Sequence, residues 1–314
     1  MPNEKHLAAL ETENKVSKLL VERLCIPKER IIHVVCSDRD TLERTISLGI
    51  DVTENSKLQL TGTDLQYNGI SIVAFTKKEI FELFNDVWIS SYMTKDSMLD
   101  YYCQMNNIKI SYYHISNYAI VEGYRFDYPK EFERLCICQN EKYNLNFALS
   151  KAWYKRENNK GKIITNKEPA CLKSLASAFR NFLKYVCQNE NPNSYYWTTF
   201  KASQSDIPKK YISQKRFLEC NKKATNEYDQ CTAVGYLCNR FINPNIINVF
   251  ADKGIQFDND QYALSELLQF VYRSNLRVED SDKIVNVFIP AKRMRMLLWN
   301  FQQKYMTLRN NISA

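Results

Sequence analysis

Gln269, Arg273 and Arg277 stand at four-residue intervals and carry the strongest chemical signal in this 314-residue chain. That spacing sets them along one side of a helix. A guanidinium is a permanently charged planar fork that matches phosphate oxygens. The same stretch, residues 263–277, holds Ala263, Leu264, Leu267, Leu268 and Val271 as an apolar stripe, so one face packs while another offers cations. The plainer alternative is the solvated basic face of an ordinary amphipathic helix. A second group comprises hydroxyls and cations at the ends of apolar runs: Ser91 and Thr94 after residues 86–92, Thr198, Thr199 and Lys201 after Tyr195, Tyr196 and Trp197, and Thr225 within the polar segment 221–228. In open α/β sheets ligands bind beyond the carboxyl ends of the strands, and such groups suit phosphate oxygens. Ser and Thr at those places also serve simply as helix caps.

The elements that would position these groups alternate. In the first part, strands are predicted at 31–36, 57–63, 69–75, 86–92 and 108–115, with helices over 6–24, 41–46, 76–84 and 94–102. In the second part, strands are predicted at 132–139, 162–165, 195–201, 217–221 and 284–289. Helices are predicted over 145–156, 167–187, 231–241, 263–277 and a closing segment after Pro290. Short strands alternating with helices predict an α/β fold, with mostly parallel sheets and helices on both faces. Residues 118–130, with Gly123 and Pro129, read as a linker between a partial first domain, 1–117, and a complete second one, 131–314.

Composition narrows the chemistry. Hydrophobic residues make up 45% and charged residues 25%, as in a globular protein with a proper core. Only 7 glycines argue against a glycine-rich phosphate loop. The net charge is +8, and after Asp282 Lys283, Lys292, Arg293, Arg295, Lys304 and Arg309 are followed by no carboxylate side chain. Such a tail suits an anionic partner, or simply solubility and the helix dipole. The 10 cysteines form no C-x-x-C pair and only 3 histidines occur, so a metal site is not indicated. With no signal peptide read at the start, the expectation is reduced thiols in a cytoplasmic protein. No apolar run is long enough to cross a bilayer.

Four segments resemble motifs of superfamily 2 DEAD/DEAH-type helicases, in particular those carried by phages and mobile elements. Residues 196–201 (Tyr-Trp-Thr-Thr-Phe-Lys) resemble the strand-end motif that touches nucleic-acid backbone, and residues 220–228 the motif that couples nucleotide to nucleic acid. Residues 263–277 resemble the last motif, whose arginines reach the ATP γ-phosphate from the second RecA-like domain, and residues 88–94 the motif linking hydrolysis to strand separation. The pattern departs from the family's: Tyr272 stands where a glycine precedes the first arginine, and Arg277 follows Arg273 by four residues rather than three. No G-x-x-x-x-G-K-[ST] occurs, nor an apolar strand ending in Asp-Glu.

The resemblance implies RecA-like sheets and a helicase-like ATPase portion that contributes the arginine side of an ATP cleft and is inactive alone. Arg273, Arg277 and Gln269 would be its catalytic groups. Thr198, Thr199, Lys201, Ser91, Thr94 and Thr225 would hold single-stranded nucleic acid, DNA before RNA. ATP and Mg²⁺ would require a P-loop supplied by another segment or a partner chain. The alternatives are a non-catalytic nucleic-acid-binding protein on a RecA-like scaffold, or an unrelated α/β protein.

Overall fold

The computed structural model describes residues 30–36, 70–76, 81, 84 and 86–313, except 117, 127, 155, 158–162, 165–168, 189–190, 192, 221 and 223–225. The helices expected at 6–24 and 41–46 and the strand at 57–63 lie outside the described residues. The chain divides into two compact units: Met1–Tyr124 with Ile242–Asp258, and Arg125–Phe241 with Asn259–Ala314.

In the first unit β1 (Arg30–Cys36) pairs antiparallel with β2 (Ile70–Thr76). Residues 86–91, expected to be a strand, have no regular structure and are exposed. Helix α1 (Met98–Met105) is capped by Ser97, whose hydroxyl accepts from Asp100 N. Then β3 (Tyr113–Ser116), at the end of the strand expected over 108–115, turns into β4 (Ala119–Glu122), again antiparallel, which lies inside the segment expected to be linker. The described strands of this unit thus pair antiparallel, not in the parallel sheet expected there. For β3 and β4 the reason is connection length: they are joined by two residues, and parallel pairing needs a crossover of about a dozen or more.

The second unit holds the α/β core. After a 3-10 turn (Lys130–Arg134) come β5 (Leu135–Ile137), the one-turn helix α2 (Lys151–Tyr154), the two-residue strands β6 (Arg156–Glu157) and β7 (Ile163–Ile164), and the long helix α3 (Pro169–Tyr185). Next follow β8 (Tyr195–Thr198) and β9 (Ala233–Tyr236). The chain then passes through the first unit, forming α4 (Pro244–Asp252), and returns with α5 (Asn259–Val271), β10 (Val285–Phe288) and α6 (Lys292–Ser313). In the first unit Tyr101 of α1 packs on Phe250 and Phe257, and its hydroxyl accepts from Asp258 N at 3.1 Å.

Four strands form one parallel sheet in the order β5-β10-β9-β8. Every residue of β8 and β9 is buried, the uninterrupted apolar pattern of a sheet covered on both faces. Phe179 of α3 stacks on Phe288 and meets Tyr195 edge-on, on one face. Phe270 of α5 packs against Tyr196 and Tyr236 on the other. Helix α3 buries Leu172, Leu175, Ala176, Phe179, Phe182 and Leu183, and α6 buries Met294, Leu298, Phe301 and Tyr305 at intervals of four, three and four.

Two readings of the sequence are corrected. The segment 231–241 is not a helix but contains β9, because a short buried run looks alike in either state and pairing on both sides settles it. Among the described residues of the strand expected at 217–221 one bridge forms, Phe217 to Trp197. There the outer edge of β8 is closed differently: Leu218 N donates to Trp197 O at 2.8 Å and Arg216 Nε to Tyr195 O at 2.7 Å.

Gly235 sits in the middle of β9, where an added Cβ would stand 2.6 Å from Phe179 Cζ. That ring is held between Phe182, Phe288 and Tyr195 and has nowhere to go. Gly235→Ala is therefore expected to lose ~1–3 kcal/mol of stability to overpacking. Urea denaturation checks this, and adding Phe179→Leu should recover part of the loss, whereas additive losses would refute the contact.

Candidate nucleic-acid interface and arginine turn

The stretch 263–277 is not one helix. Helix α5 ends at Val271; Arg273 N then bonds Phe270 O and Ser274 N bonds Val271 O, both one residue shorter than the helical register. Ser274 enforces the stop. Its buried hydroxyl donates to Val271 O at 2.6 Å and accepts from Leu276 N, opening a 3-10 turn over Asn275–Arg277. Gln269 and Arg277 are both exposed, on different elements, and Arg273 lies between them. The shared helical face expected for these three does not form.

Arg273 is instead a structural fork. Its guanidinium lies 5.7 Å from the Phe270 ring centroid, Nη1 donates to Cys220 O at 3.2 Å, and Nη2 donates to Lys222 O. A side chain from the end of α5 thereby holds the main chain of a segment some fifty residues earlier. Other contacts join the same segments. Tyr196 Oη donates to Phe270 O at 2.7 Å and its ring meets that of Tyr228, on which the Arg216 guanidinium stacks. Asn275 N donates to Cys231 O, and Asn275 Nδ2 to Asp229 O. Segments 196–201, 220–231 and 269–277 are thus one constellation. Because Cys231 precedes β9, the Asn275 turn lies at the amino end of the sheet, not at the carboxyl ends where ligand groups were expected.

Arg134, ahead of β5, fixes that turn. Its Nη1 donates to Asn275 O, Asn275 Oδ1 and Lys283 O, and its Nη2 to Leu276 O and Val278 O at 3.0 and 2.9 Å. The last carbonyls of a 3-10 turn lack internal partners, and here one guanidinium satisfies those of Leu276 and Val278 while sharing that of Asn275 with Val278 N.

The hydroxyls singled out for nucleic-acid contact are mostly engaged inward. Thr198 and Thr199 are fully buried; Thr198 Oγ1 lies 3.1 Å from Cys220 Sγ, and Thr199 Oγ1 donates to Leu237 O at 3.0 Å. Neither is presented to a strand, because the β8 terminus is covered by the segment that follows it. Lys201 is exposed and pairs with Glu219 at 2.8 Å. Ser91 is exposed and donates weakly to Tyr92 O, while Thr94 donates to Ser91 O at 3.1 Å. Thr225 lies outside the described residues. A denser signal escaped the reading of the sequence. Residues 201–222 carry Lys201, Lys209, Lys210, Lys215, Arg216 and Lys222 against Asp206 and Glu219, and all five lysines are exposed. Burial raises the Asp206 carboxyl above its ordinary value.

The arginines of the basic tail, by contrast, have partners within the chain. Arg293 meets Asp260, Asn239 Oδ1, and the Asn259 and Arg240 carbonyls. Arg295 is buried, donating to Ile289 O and Asn146 Oδ1, and Arg309 pairs with Glu133. Beyond the carboxyl end of β9, Arg240 Nη2 donates to Tyr262 and Glu266, while its buried Nε lacks a partner. Nearby, Cys220 and Cys238 bring their sulfurs within 3.6 Å. The hydrogen bond from Cys238 pulls the Cys220 thiol below its ordinary value, and burial pushes Cys238 up. Scattered spacing hid this pair in the sequence.

Among the described residues no group of three His, Cys, Asp or Glu side chains could hold a metal ion, and no helix is long and apolar enough to cross a membrane. With no G-x-x-x-x-G-K-[ST] in the sequence, the residues present do not make a complete cradle for ATP and Mg²⁺.

The family described as the YonV C-terminal Rossmann-like domain matches residues 130–302. A Bacillus subtilis (strain 168) protein named "SPbeta prophage-derived uncharacterized protein YonV" is 30% identical over 234 residues, 71% of this chain and 53% of that protein. The chain therefore spans about half the length of that relative. No solved structure matches it.

Two outcomes follow from this geometry. Arg134→Met should cost ~2–4 kcal/mol, since several partly buried carbonyls lose a charged donor, and should speed proteolysis within 275–283. Arg134→Lys should recover little, because one ammonium cannot span those acceptors; full recovery would refute the fork. Separately, burial pushes the Cys231 thiol up to about 11 despite the Arg216 donor beside it. A raised folded value stabilises below the unfolded thiol's value of about 8.5, and that contribution is lost as pH climbs through about 11. The urea midpoint of the wild type should fall more than that of Cys231→Ser across this interval, and parallel profiles would exclude the effect.

Proposed function

The chain belongs to the family of the YonV C-terminal Rossmann-like domain, and on that premise we propose that its α/β domain is the strand-binding, arginine-bearing second half of a helicase-like nucleic-acid motor. The observation that carries this reading is the pair of hydrogen bonds from Arg273 to Cys220 O and Lys222 O. The two segments that resemble the last two helicase motifs are far apart in sequence, and they adjoin here through the arginine that the resemblance singles out. The relative's description as prophage-derived agrees with the phage or mobile-element kind of helicase.

In this reading the exposed lysines of 201–222 take the phosphates of a single strand. Arg273 ties the end of that basic segment to α5 and to the turn that exposes Arg277. Displacement of the strand-bound segment is thereby transmitted to the arginine turn through two main-chain hydrogen bonds and the Arg134 fork, rather than through a flexible loop. Arg273 serves as a positioning residue, and Arg277 is the group offered outward. The phosphate cradle and metal ligands would come from a P-loop-bearing segment or partner, and nothing in these residues replaces them.

The test is fluorescence anisotropy of a labelled single-stranded DNA across a salt series with the purified chain. Affinity should fall steeply with salt, and Lys209→Glu with Lys210→Glu should flatten the log–log slope by ~1.4, about 0.7 for each phosphate no longer neutralised. No ATP turnover is expected from the chain alone. Salt-independent binding, or an unchanged slope in the double variant, would overturn the strand-binding assignment; strand-stimulated turnover would overturn the need for an outside phosphate cradle.

A further inference from the structure

Cys220 closes the basic segment 201–222, and Cys238 follows β9. Their sulfurs lie 3.6 Å apart, so a shift of roughly 1.5 Å would bring them to the ~2.05 Å of a disulfide. No other contact between two cysteine sulfurs occurs among the described residues' hydrogen bonds, and the cysteines there are free thiols. The site is built for one sulfur to act as nucleophile. Thr198 Oγ1 stands 3.1 Å from Cys220 Sγ, and the charge of Arg240 bears on that thiol. Cys220 keeps a small exposure of 9%, while Cys238 is wholly buried. Peroxide, hardly larger than water, would meet Cys220 first.

We propose that Cys220 and Cys238 form a reversible intramolecular disulfide when a peroxide oxidises the chain, pinning the end of the basic segment 201–222 to the end of β9. The Cys220 thiolate attacks one peroxide oxygen, the O–O bond breaks, and Cys220 becomes a sulfenic acid with hydroxide leaving. The Cys238 sulfur then attacks the Cys220 sulfur, the S–O bond breaks, and the Cys238 proton leaves with the oxygen as water. In sum, two thiols and one hydrogen peroxide give one disulfide and two waters. The bond closes a loop that includes the whole of β9, and it acts on the carbonyl that Arg273 grips, so the segment loses its freedom to move relative to the sheet.

This chemistry stands independently of the strand-binding reading, and its test does not use nucleic acid. The native chain is treated with hydrogen peroxide, unfolded in acid, alkylated and digested with trypsin without reduction. Residues 217–222 and 224–240 should appear as one linked species, two hydrogens lighter than the separate peptides and separable by dithiothreitol. The link must persist in Cys231→Ser, which removes the other cysteine of the second peptide. In Cys238→Ser, Cys220 should instead be trapped by dimedone as the sulfenic acid. Amides of 217–222 should exchange at least about tenfold more slowly in the oxidised chain. Linkage through Cys231, free Cys220 and Cys238 after exposed Cys136 has oxidised, or linkage with unchanged amide exchange would each overturn the proposal.

Discussion

A parallel sheet of strands three or four residues long makes few ladder hydrogen bonds, so it persists only if both faces are sealed from water. That constraint governs the second unit. Phe179 covers one face and Phe270 the other, and the middle strand must be thin enough for the first ring to approach. Gly235 gives that thinness. Apolar burial, at ~25 cal/mol per Å², then comes in large part from rings that the helices and the strands both send to the two faces of the sheet. The largest fully buried side chains are accordingly aromatic, Trp197, Tyr154, Tyr196, Tyr236 and Phe132 among them.

The remaining problem is the irregular chain between these elements, whose carbonyls have no ladder to join. Arginines solve it repeatedly. Arg134 gathers the carbonyls around Asn275–Arg277, Arg273 those of Cys220 and Lys222, Arg293 those of Arg240 and Asn259, and Arg295 that of Ile289. Each charge is matched to several acceptors, which suits a fork better than an ammonium. The net positive charge of the sequence therefore overstates what reaches the surface as arginine, and the five exposed lysines of 201–222 add to what does.

What the sequence disclosed follows from how local each signal was. The periodicity of α3 and the Tyr195–Thr198 and Val285–Phe288 strands were legible because pattern and burial agree there. The middle strand was not: residues 233–236 are as compatible with a helix until neighbours on both sides are known. The exposed apolar run at 86–91 resembled a strand because hydropathy alone does not report whether a partner exists. Thr198 and Thr199 misled for a different reason. Hydroxyls at a strand end look available until the next segment folds over them, and that segment is placed by Trp197 and Phe217, a contact no local rule encodes. The resemblance named Arg273, and only three dimensions reveal that it clasps backbone; it gave no sign of Arg134, which lies well over a hundred residues from the turn it supports.

The outer margin of β8 carries one more consequence. Sheet margins ordinarily leave carbonyls in search of a donor, which invites a strand from another molecule. Here Tyr195 O and Trp197 O, the outward pair, are already taken by Arg216 Nε and Leu218 N. A neighbouring chain finds no vacant acceptors at those two positions, so the sheet is shut against strand addition and fibril seeding along that side. It achieves this without a proline or a bulge, using a residue whose guanidinium also stacks on Tyr228.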